Sequence, residues 1–186
     1  MEVKGTAYLA RKAMLVAEFG EQRFRDLVES VAKKHPVFNT PLLATSAIDI
    51  RAFLDFNDAI VATFYNGDTK SFWTFGEKSA DWALTQGPYK HLLASKSVSD
   101  FADSAMRIYR NYFNEGAASS EVAPGRVDLT LTGVPAGCRH VYFEYSIFGY
   151  FKRGLELVGA KDLKLERIKG FSKGDPIVHY RYTWTV

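Results

Sequence analysis

The chain has 186 residues, of which 47% are hydrophobic and 15% aromatic, and this size and composition allow one packed core. Its formal net charge is +3 and its basic residues are scattered, which argues against a nucleic-acid partner. The single cysteine, Cys138, excludes a disulfide framework within one chain, and no apolar run is long enough to span a membrane. Without an apolar signal segment either, the composition predicts a cytoplasmic protein.

Apolar residues recur at helical spacing through residues 1–116, which predicts a helical N-terminal part. The first helix is expected over residues 8–19, the second over residues 21–34, and the third over residues 46–65 with Ser46 as its N-cap. The stripe expected to be buried on the first helix consists of Leu9, Ala13, Val16 and Ala17.

Three further segments complete the helical part. Residues 69–85 are unusually aromatic and predict a helix that Gly87 and Pro88 end, followed by a short helix over residues 89–94. Residues 97–114 predict the last N-terminal helix, whose buried face includes Ile108, Tyr109 and Tyr112.

The C-terminal part, residues 126–186, predicts a small antiparallel sheet with one inserted helix. Apolar and polar residues alternate over residues 127–132 and 178–186, which is typical of half-buried strands, and more weakly over residues 161–169. A helix of about eighteen residues fills the space between the first two strands, and Gly159 is placed as its C-cap glycine. The predicted fold is therefore α+β in a single domain.

Other features of this region concern its turns and connections. Gly174 and Asp175, followed by Pro176, predict a turn between the last two strands. The small and polar residues 116–125 are interpreted as a surface connection between the helical part and the sheet.

Residues that could carry catalysis or bind a metal are few and poorly arranged. Cys138 and His140 could form a nucleophile pair, but no third group or oxyanion element accompanies them, and a lone cysteine is more often a small buried hydrophobe. The four histidines show no zinc-binding spacing. Among them, His91 is only a weak candidate for an axial haem ligand, so the sequence predicts no enzyme, no metal site and no cofactor.

The many aromatic residues have several interpretations. They can fill the core, form a dimer interface, or line an apolar pocket between the helical part and the sheet. For the pocket, we expect Arg107 or Arg110 to anchor an acidic head group, because a guanidinium group meets a carboxylate with two hydrogen bonds. The aromatic residues expected to line it are Phe72, Trp73, Trp82, Tyr109, Tyr145 and Phe148.

The chain resembles a known superfamily over nearly its whole length. Its opening, MEVKGTAYLARKAMLVAEFGEQRFRDLVESV, is similar to that of haem-nitric-oxide-binding domains. Its end, IFGYFKRGLELVGAKDLKLERIKGFSKGDPIVHYRYTW, resembles vinyl-4-reductase-type domains, which share its spaced glycines, Gly149 and Gly154, and the turn at Gly174. The superfamily includes the TRAPP subunits of Golgi transport, and the overall pattern is also similar to uncharacterised paralogous proteins of the myxobacterial type.

The chain departs from the haem-binding members at the residues that hold haem. Those members carry a Tyr-x-Ser-x-Arg motif, whereas the nearest run here starts at Tyr145-Ser146 and lacks the arginine. Their proximal histidine lies on the helix that matches residues 97–114, which contains none. The resemblance therefore implies the fold without haem.

The interpretation that follows is a non-enzymatic, cytoplasmic sensory or regulatory module that binds a small apolar ligand and signals to a protein partner or as a homodimer. The alternative is a protein-interaction scaffold with a filled core. An atypical haem-based gas sensor is the third interpretation.

Overall fold

The computed structural model describes residues 1–87, 89–95 and 97–185, and it divides into helices followed by a sheet. The α-helices and β-strands of the described residues, in chain order, are β1 (Glu2–Lys4), α1 (Gly5–Phe19), α2 (Glu21–Ala32), β2 (Ala47–Asp49), α3 (Ile50–Phe64), α4 (Ser71–Asp81), α5 (Val98–Asp103), α6 (Ala105–Arg110), β3 (Ala117–Ala123), β4 (Arg126–Thr132), α7 (Val141–Leu157), β5 (Lys161–Lys169) and β6 (Val178–Thr185).

The strands form two antiparallel sheets. The short strands β1 and β2 pair with each other near the N-terminus, with Val3 opposite Ile48. The main sheet has four strands in the order β3-β4-β6-β5, and Leu129 of β4 faces Tyr180 of β6. The predicted α+β fold, with a helical N-terminal part before a small antiparallel sheet, is confirmed.

The helix α7 occupies the centre of the molecule, between the helical part and the main sheet. On one side it packs against β6, where the rings of Phe148 and Tyr180 stack with centroids 4.5 Å apart and the Tyr182 hydroxyl donates to the Phe148 carbonyl oxygen at 2.8 Å. On the other side it packs along α4. Because α7 is central, its side chains line the cavity described below.

Two glycines bring α4 and α7 into backbone contact. A Cβ atom on Gly149 would lie 2.5 Å from the Trp73 carbonyl oxygen, and one on Gly76 would overlap the Ser146 carbonyl oxygen. Neither position therefore accepts a larger residue without moving one helix. The close approach fixes α4 and α7 as a pair.

The structure corrects the predicted face of the first helix. The residues expected to be buried, such as Ala13 and Ala17, are exposed, while Leu9 and Val16 are half-buried. The buried face instead carries Ala7, Tyr8, Ala10, Arg11, Met14 and Leu15. The prediction was wrong because it used apolar residues alone, whereas the buried face of this helix includes the charged residue Arg11.

Several predicted boundaries also differ from the structure. Asp49 rather than Ser46 caps α3, since its carboxylate accepts hydrogen bonds from the backbone N–H groups of Arg51 and Ala52. The predicted helix over residues 97–114 is divided at Ser104 into α5 and α6. The predicted aromatic helix ends in a π-helical turn, Trp82–Gln86, after α4.

The segment 116–125, interpreted as a connection, is mostly the strand β3. This strand lies at the edge of the main sheet, and its buried apolar residue is the small Ala118. Its sequence therefore shows little of the hydrophobic alternation that predicts a strand. The inserted helix α7 therefore follows the second strand of this sheet rather than the first. Pro88 and Val186, for which a helix end and a strand position were predicted, lie outside the described residues.

Within the described part of the chain, no helix combines the length and apolar character needed to cross a membrane.

Candidate ligand-binding cavity

A narrow cavity of about 40 Å³ lies among α1, α4, α6 and α7. Its walls are largely apolar, but polar groups of Arg11, Ser146 and several tyrosines are among its lining residues. The lining consists of Ala7, Arg11, Ser79, Ile108, Tyr109, Tyr112, Phe113, Tyr142, Ser146, Ile147, Tyr150 and Phe151. The cavity thus lies between the N-terminal helices and α7, on the side of α7 away from the main sheet.

Arg11 is the most unusual residue of this cavity, because only 1% of it is exposed. Its Nε donates to Asn57 Oδ1 at 3.1 Å, and Asn57 is itself held by a 2.8 Å hydrogen bond to the Phe53 carbonyl oxygen. Its guanidinium carbon lies 4.4 Å from the centre of the Phe75 ring, and its Nη1 is 3.9 Å from Met14 Sδ. These contacts fix the guanidinium group at the cavity wall.

No carboxylate of the described residues lies within 4.0 Å of this guanidinium group. Burial lowers the pKa of Arg11, although the nearby hydroxyl group of Tyr142 acts in the opposite direction. An arginine keeps its proton in proteins, so the cavity contains a positive charge without an anionic partner among the described residues. Buried charges are normally paired, because the loss of hydration costs several kcal/mol.

Two tyrosines add polar groups that lack partners. The rings of Tyr112 and Tyr150 pack edge to face with centroids 5.9 Å apart, and their exposed fractions are 8% and 6%. Neither hydroxyl group has a hydrogen-bond partner within 3.5 Å among the described residues, although the two hydroxyl groups lie near enough to interact with each other. By contrast, the Tyr109 hydroxyl group donates to the Glu115 carbonyl oxygen at 2.8 Å. Buried hydroxyl groups without partners are rare in proteins and call for a ligand or ordered water.

Burial controls the ionisation of these tyrosines. Loss of hydration raises the pKa values of Tyr112 and Tyr150 well above the ordinary value of a tyrosine. The proximity of Tyr150 raises the pKa of Tyr112 further. The pKa of Tyr109 is raised by burial as well. All three hydroxyl groups therefore stay protonated at neutral pH and can donate hydrogen bonds.

The first turn of α7, which carries Tyr142 into the cavity wall, is fixed by two polar anchors. His140 accepts a hydrogen bond from the Tyr142 backbone N–H through Nδ1 at 3.1 Å, and its Nε2 lies 3.3 Å from Asp58. Glu144 is fully buried and accepts from Arg167 and from both the backbone N–H and the hydroxyl group of Ser172. These contacts hold α7 to α3 and to the turn after β5.

Of the residues predicted to line a ligand site, Tyr109 alone lies on this cavity. Phe72 and Phe148 are fully buried in the core, and Trp73 packs with its ring centroid 5.9 Å from that of Tyr180. Tyr145 is half-buried beside Arg167 on another face of α7.

The remaining predicted site residues lie at the surface. Trp82 lines an open groove with the small residues of α1, on the side where Ala13 and Ala17 are exposed. Arg107 is exposed on α6, where its Nη2 donates to the Ser104 hydroxyl group at 2.7 Å, and Arg110 is exposed beside it. The structure therefore does not bring these eight residues together, and their role in binding stays a prediction.

The sequence-based reasoning missed Arg11, Tyr142 and Tyr150. A signal for Arg11 was present, since it lies between Ala7 and Met14 on a helix face that is otherwise apolar. Tyr112 was predicted to be buried, but nothing in its local sequence shows that its hydroxyl group faces a cavity.

Comparison with solved structures shows that the chain has the fold of haem-nitric-oxide-binding (H-NOX) domains. One similar structure is a triple mutant of an H-NOX protein from S. oneidensis in the Fe(II) ligation state, with a TM-score of 0.76 and 12% sequence identity. The match covers 98% of this chain and 96% of that chain. A variant of the Tt H-NOX protein has a TM-score of 0.74, with 10% identity and coverages of 98% and 95%.

A third similar structure is a variant of the unliganded Fe(II) H-NOX protein from K. algicida, with a TM-score of 0.71, 13% identity and coverages of 98% and 97%. No protein-family model and no curated protein sequence matches the chain. The fold that the resemblance implied is thus confirmed.

The same comparison contradicts the prediction of a domain without a cofactor. The similar structures include H-NOX proteins described by their Fe(II) ligation state, and one is described through haem distortion in the H-NOX family. The fold of this chain is thus one that accommodates haem in other proteins.

Proposed function

We propose that this chain is a sensory or regulatory module that binds a small ligand in the cavity between α1 and α7. The observation that carries the proposal is a cavity whose buried polar groups, Arg11, Tyr112 and Tyr150, lack partners among the described residues. Ligand sites combine apolar walls with a few placed polar groups, and this cavity has that character. Its position in an H-NOX-like fold also supports a sensory role.

The proposal excludes a well-packed core at this place, and a cavity-filling substitution tests that difference. Ala7→Val adds two methyl groups to a residue that lines the cavity. If the space is available, the variant keeps the wild-type stability to within about 1 kcal/mol, whereas overpacking a filled core costs about 1–3 kcal/mol. Ala13→Val on the exposed side of the same helix is the matched control for the lower helix propensity of valine.

Ligand content gives the second readout. Native mass spectrometry of the freshly purified wild-type protein and of Ala13→Val is expected to show a bound small molecule or to show binding of an added one. The Ala7→Val variant is expected to show neither. Equal ligand content in all three proteins, or a large loss of stability in Ala7→Val alone, would contradict a ligand site in this cavity.

Haem-based gas sensing is a second candidate function, and the shared fold with H-NOX proteins favours it. The described residues around the cavity do not fit haem in their present arrangement. The cavity of about 40 Å³ has room for a few atoms, not for a macrocycle of the size of haem, and none of the four histidines lines it.

Titration with hemin, followed by absorption spectroscopy of the reduced protein, tests this candidate. A stoichiometric Soret band that His91→Ala abolishes would support haem ligation by that residue, which is exposed on a short helix at Lys90–Leu93. Hemin that is removed by passage over a desalting column would count against haem-based sensing.

A protein partner, a homodimer and a cytoplasmic location remain predictions.

A further inference from the structure

The cavity contains one positive charge, and the described residues do not neutralise it. Arg11 donates to the amide oxygen of Asn57 and packs on the ring of Phe75, and both groups are neutral. A charge that is 99% buried beside neutral partners is costly, so an anion that enters the cavity would gain the interaction that the protein leaves unused.

The other polar groups of the cavity are suited to an anion rather than to a cation. The hydroxyl groups of Tyr112 and Tyr150 are buried and protonated, and neither has a hydrogen-bond partner within 3.5 Å among the described residues, so each can donate a hydrogen bond to a negatively charged oxygen. Ser146 is also among the residues that line the cavity. No Asp or Glu lines the cavity, so nothing on its described walls repels an anion.

The size of the cavity limits the anion to a few atoms. A volume of 40 Å³ corresponds to about three water-sized spheres at roughly 10–15 Å³ each. Formate, acetate and nitrate have three or four non-hydrogen atoms. A single guanidinium group balances one negative charge, and its planar fork matches two oxygens of a planar group.

We propose that this cavity binds a small, planar, monovalent oxyanion, held by Arg11 and by the hydroxyl groups of Tyr112 and Tyr150. The proposal rests on the ligand-binding function proposed above and gives the chemical class of the ligand. Carboxylates and nitrate share this chemistry, and direct comparison of the two separates them. Apolar walls formed by Ile108 and Phe151 favour an anion of low charge that loses its hydration easily.

The test compares charged and neutral ligands of the same shape. Isothermal titration calorimetry is performed with sodium formate, sodium acetate and sodium nitrate, and with formamide and acetamide as neutral counterparts, all at one ionic strength set with sodium chloride. The wild-type protein is expected to bind at least one oxyanion with a stoichiometry of one and to bind the matching amide at least about tenfold more weakly, since a hydrogen bond to a charged group is lost.

Two kinds of variant locate the binding. Arg11→Met is expected to weaken oxyanion binding by about 100-fold or more, and Tyr150→Phe by about tenfold, because each removes donors to a charged oxygen. Arg25→Met, which removes an exposed arginine from α2, is the matched control and should bind as the wild type does. If Arg11→Met does not fold, Tyr150→Phe still gives a decision, since it removes a single hydroxyl group.

The outcomes separate this inference from the proposed function. Oxyanion binding that depends on Arg11 and is blocked in Ala7→Val supports both. Amide binding as tight as oxyanion binding, blocked in Ala7→Val, supports a ligand site and overturns the oxyanion. Absence of binding by every probe, or binding that neither Arg11→Met nor Ala7→Val changes, overturns the oxyanion site, while the stability and ligand content of Ala7→Val still decide on the ligand-binding function.

Discussion

Replacement of Glu144 by glutamine should destabilise the protein more than any comparable change on the surface of α7. Glu144 is 0% exposed and accepts a hydrogen bond from Arg167 Nη1 at 2.5 Å, one from the Ser172 hydroxyl group at 2.8 Å and one from the Ser172 backbone N–H. All three partners are donors. The amide of glutamine keeps one acceptor oxygen, but its NH₂ group would face a donor, and the negative charge of the carboxylate is lost.

The magnitude follows from these contacts. Hydrogen bonds to a charged group are worth about 1.5–3 kcal/mol each, and removal of one partner of a buried pair costs about 3–5 kcal/mol. Arg167 keeps 26% of its side chain exposed, so water compensates part of its loss. We therefore expect Glu144→Gln to lower the free energy of unfolding by about 2–4 kcal/mol.

Urea unfolding monitored by circular dichroism measures this loss, and a thermal scan should show a midpoint lower by about 4–16 °C for a chain of this length. Glu156→Gln on the same helix is the control. Glu156 pairs with Lys152 at 2.7 Å and Arg153 at 3.2 Å, but it is half-buried, so its replacement should cost less than about 1 kcal/mol. Equal losses in the two variants would refute the assignment of Glu144 as a buried anchor of α7.

Two further substitutions test other contacts of the fold. Gly76→Ala would place a Cβ against the Ser146 carbonyl oxygen. It should lower the free energy of unfolding by about 1–3 kcal/mol in urea titrations, despite the better helix propensity of alanine. A Gly76→Ala variant as stable as the wild type would show that α4 and α7 are not in backbone contact. Burial acts to raise the pKa of Asp128, but hydrogen bonds from His179 and Arg181 outweigh burial and hold this pKa below its usual range. The ionised Asp128 therefore stabilises the fold fully above about pH 4, and this stabilisation is lost as the pH falls through the folded-state pKa. Thermal scans should therefore show that Asp128→Asn has a shallower loss of stability below about pH 4 than the wild type, and parallel acid profiles would contradict this role.

The sequence predicted elements with strong hydrophobic periodicity well. The helix α7 and the strands β4 and β6 were found close to their observed bounds, because their apolar residues face one side and recur regularly. The strand β3 was missed because it lies at the sheet edge and buries the small residue Ala118, so its pairing with β4 is decided by tertiary contacts rather than by its own pattern.

The candidate site was less accessible to prediction for a different reason. Periodicity assumes that charged residues face solvent, and Arg11 violates that assumption, so the buried face of α1 was predicted incorrectly. For the same reason, the sequence did not indicate the cavity that Arg11 lines. The cavity also joins α1 to α7, whose residues are more than one hundred positions apart in the chain. Local sequence shows that Tyr112 is apolar enough to be buried, but only the packing of distant helices leaves its hydroxyl group without a partner.

The backbone contact between α4 and α7 limits which sequences can form this architecture. Any residue other than glycine at position 76 or 149 would press against the opposite helix, so a distant relative with the same helix pair needs a hydrogen at both places. In a fold where similar structures share about one residue in eight with this chain, a steric requirement at these two positions is a specific restriction on the sequence. A glycine at each, together with an arginine on the inner face of the first helix, would mark relatives that kept this cavity.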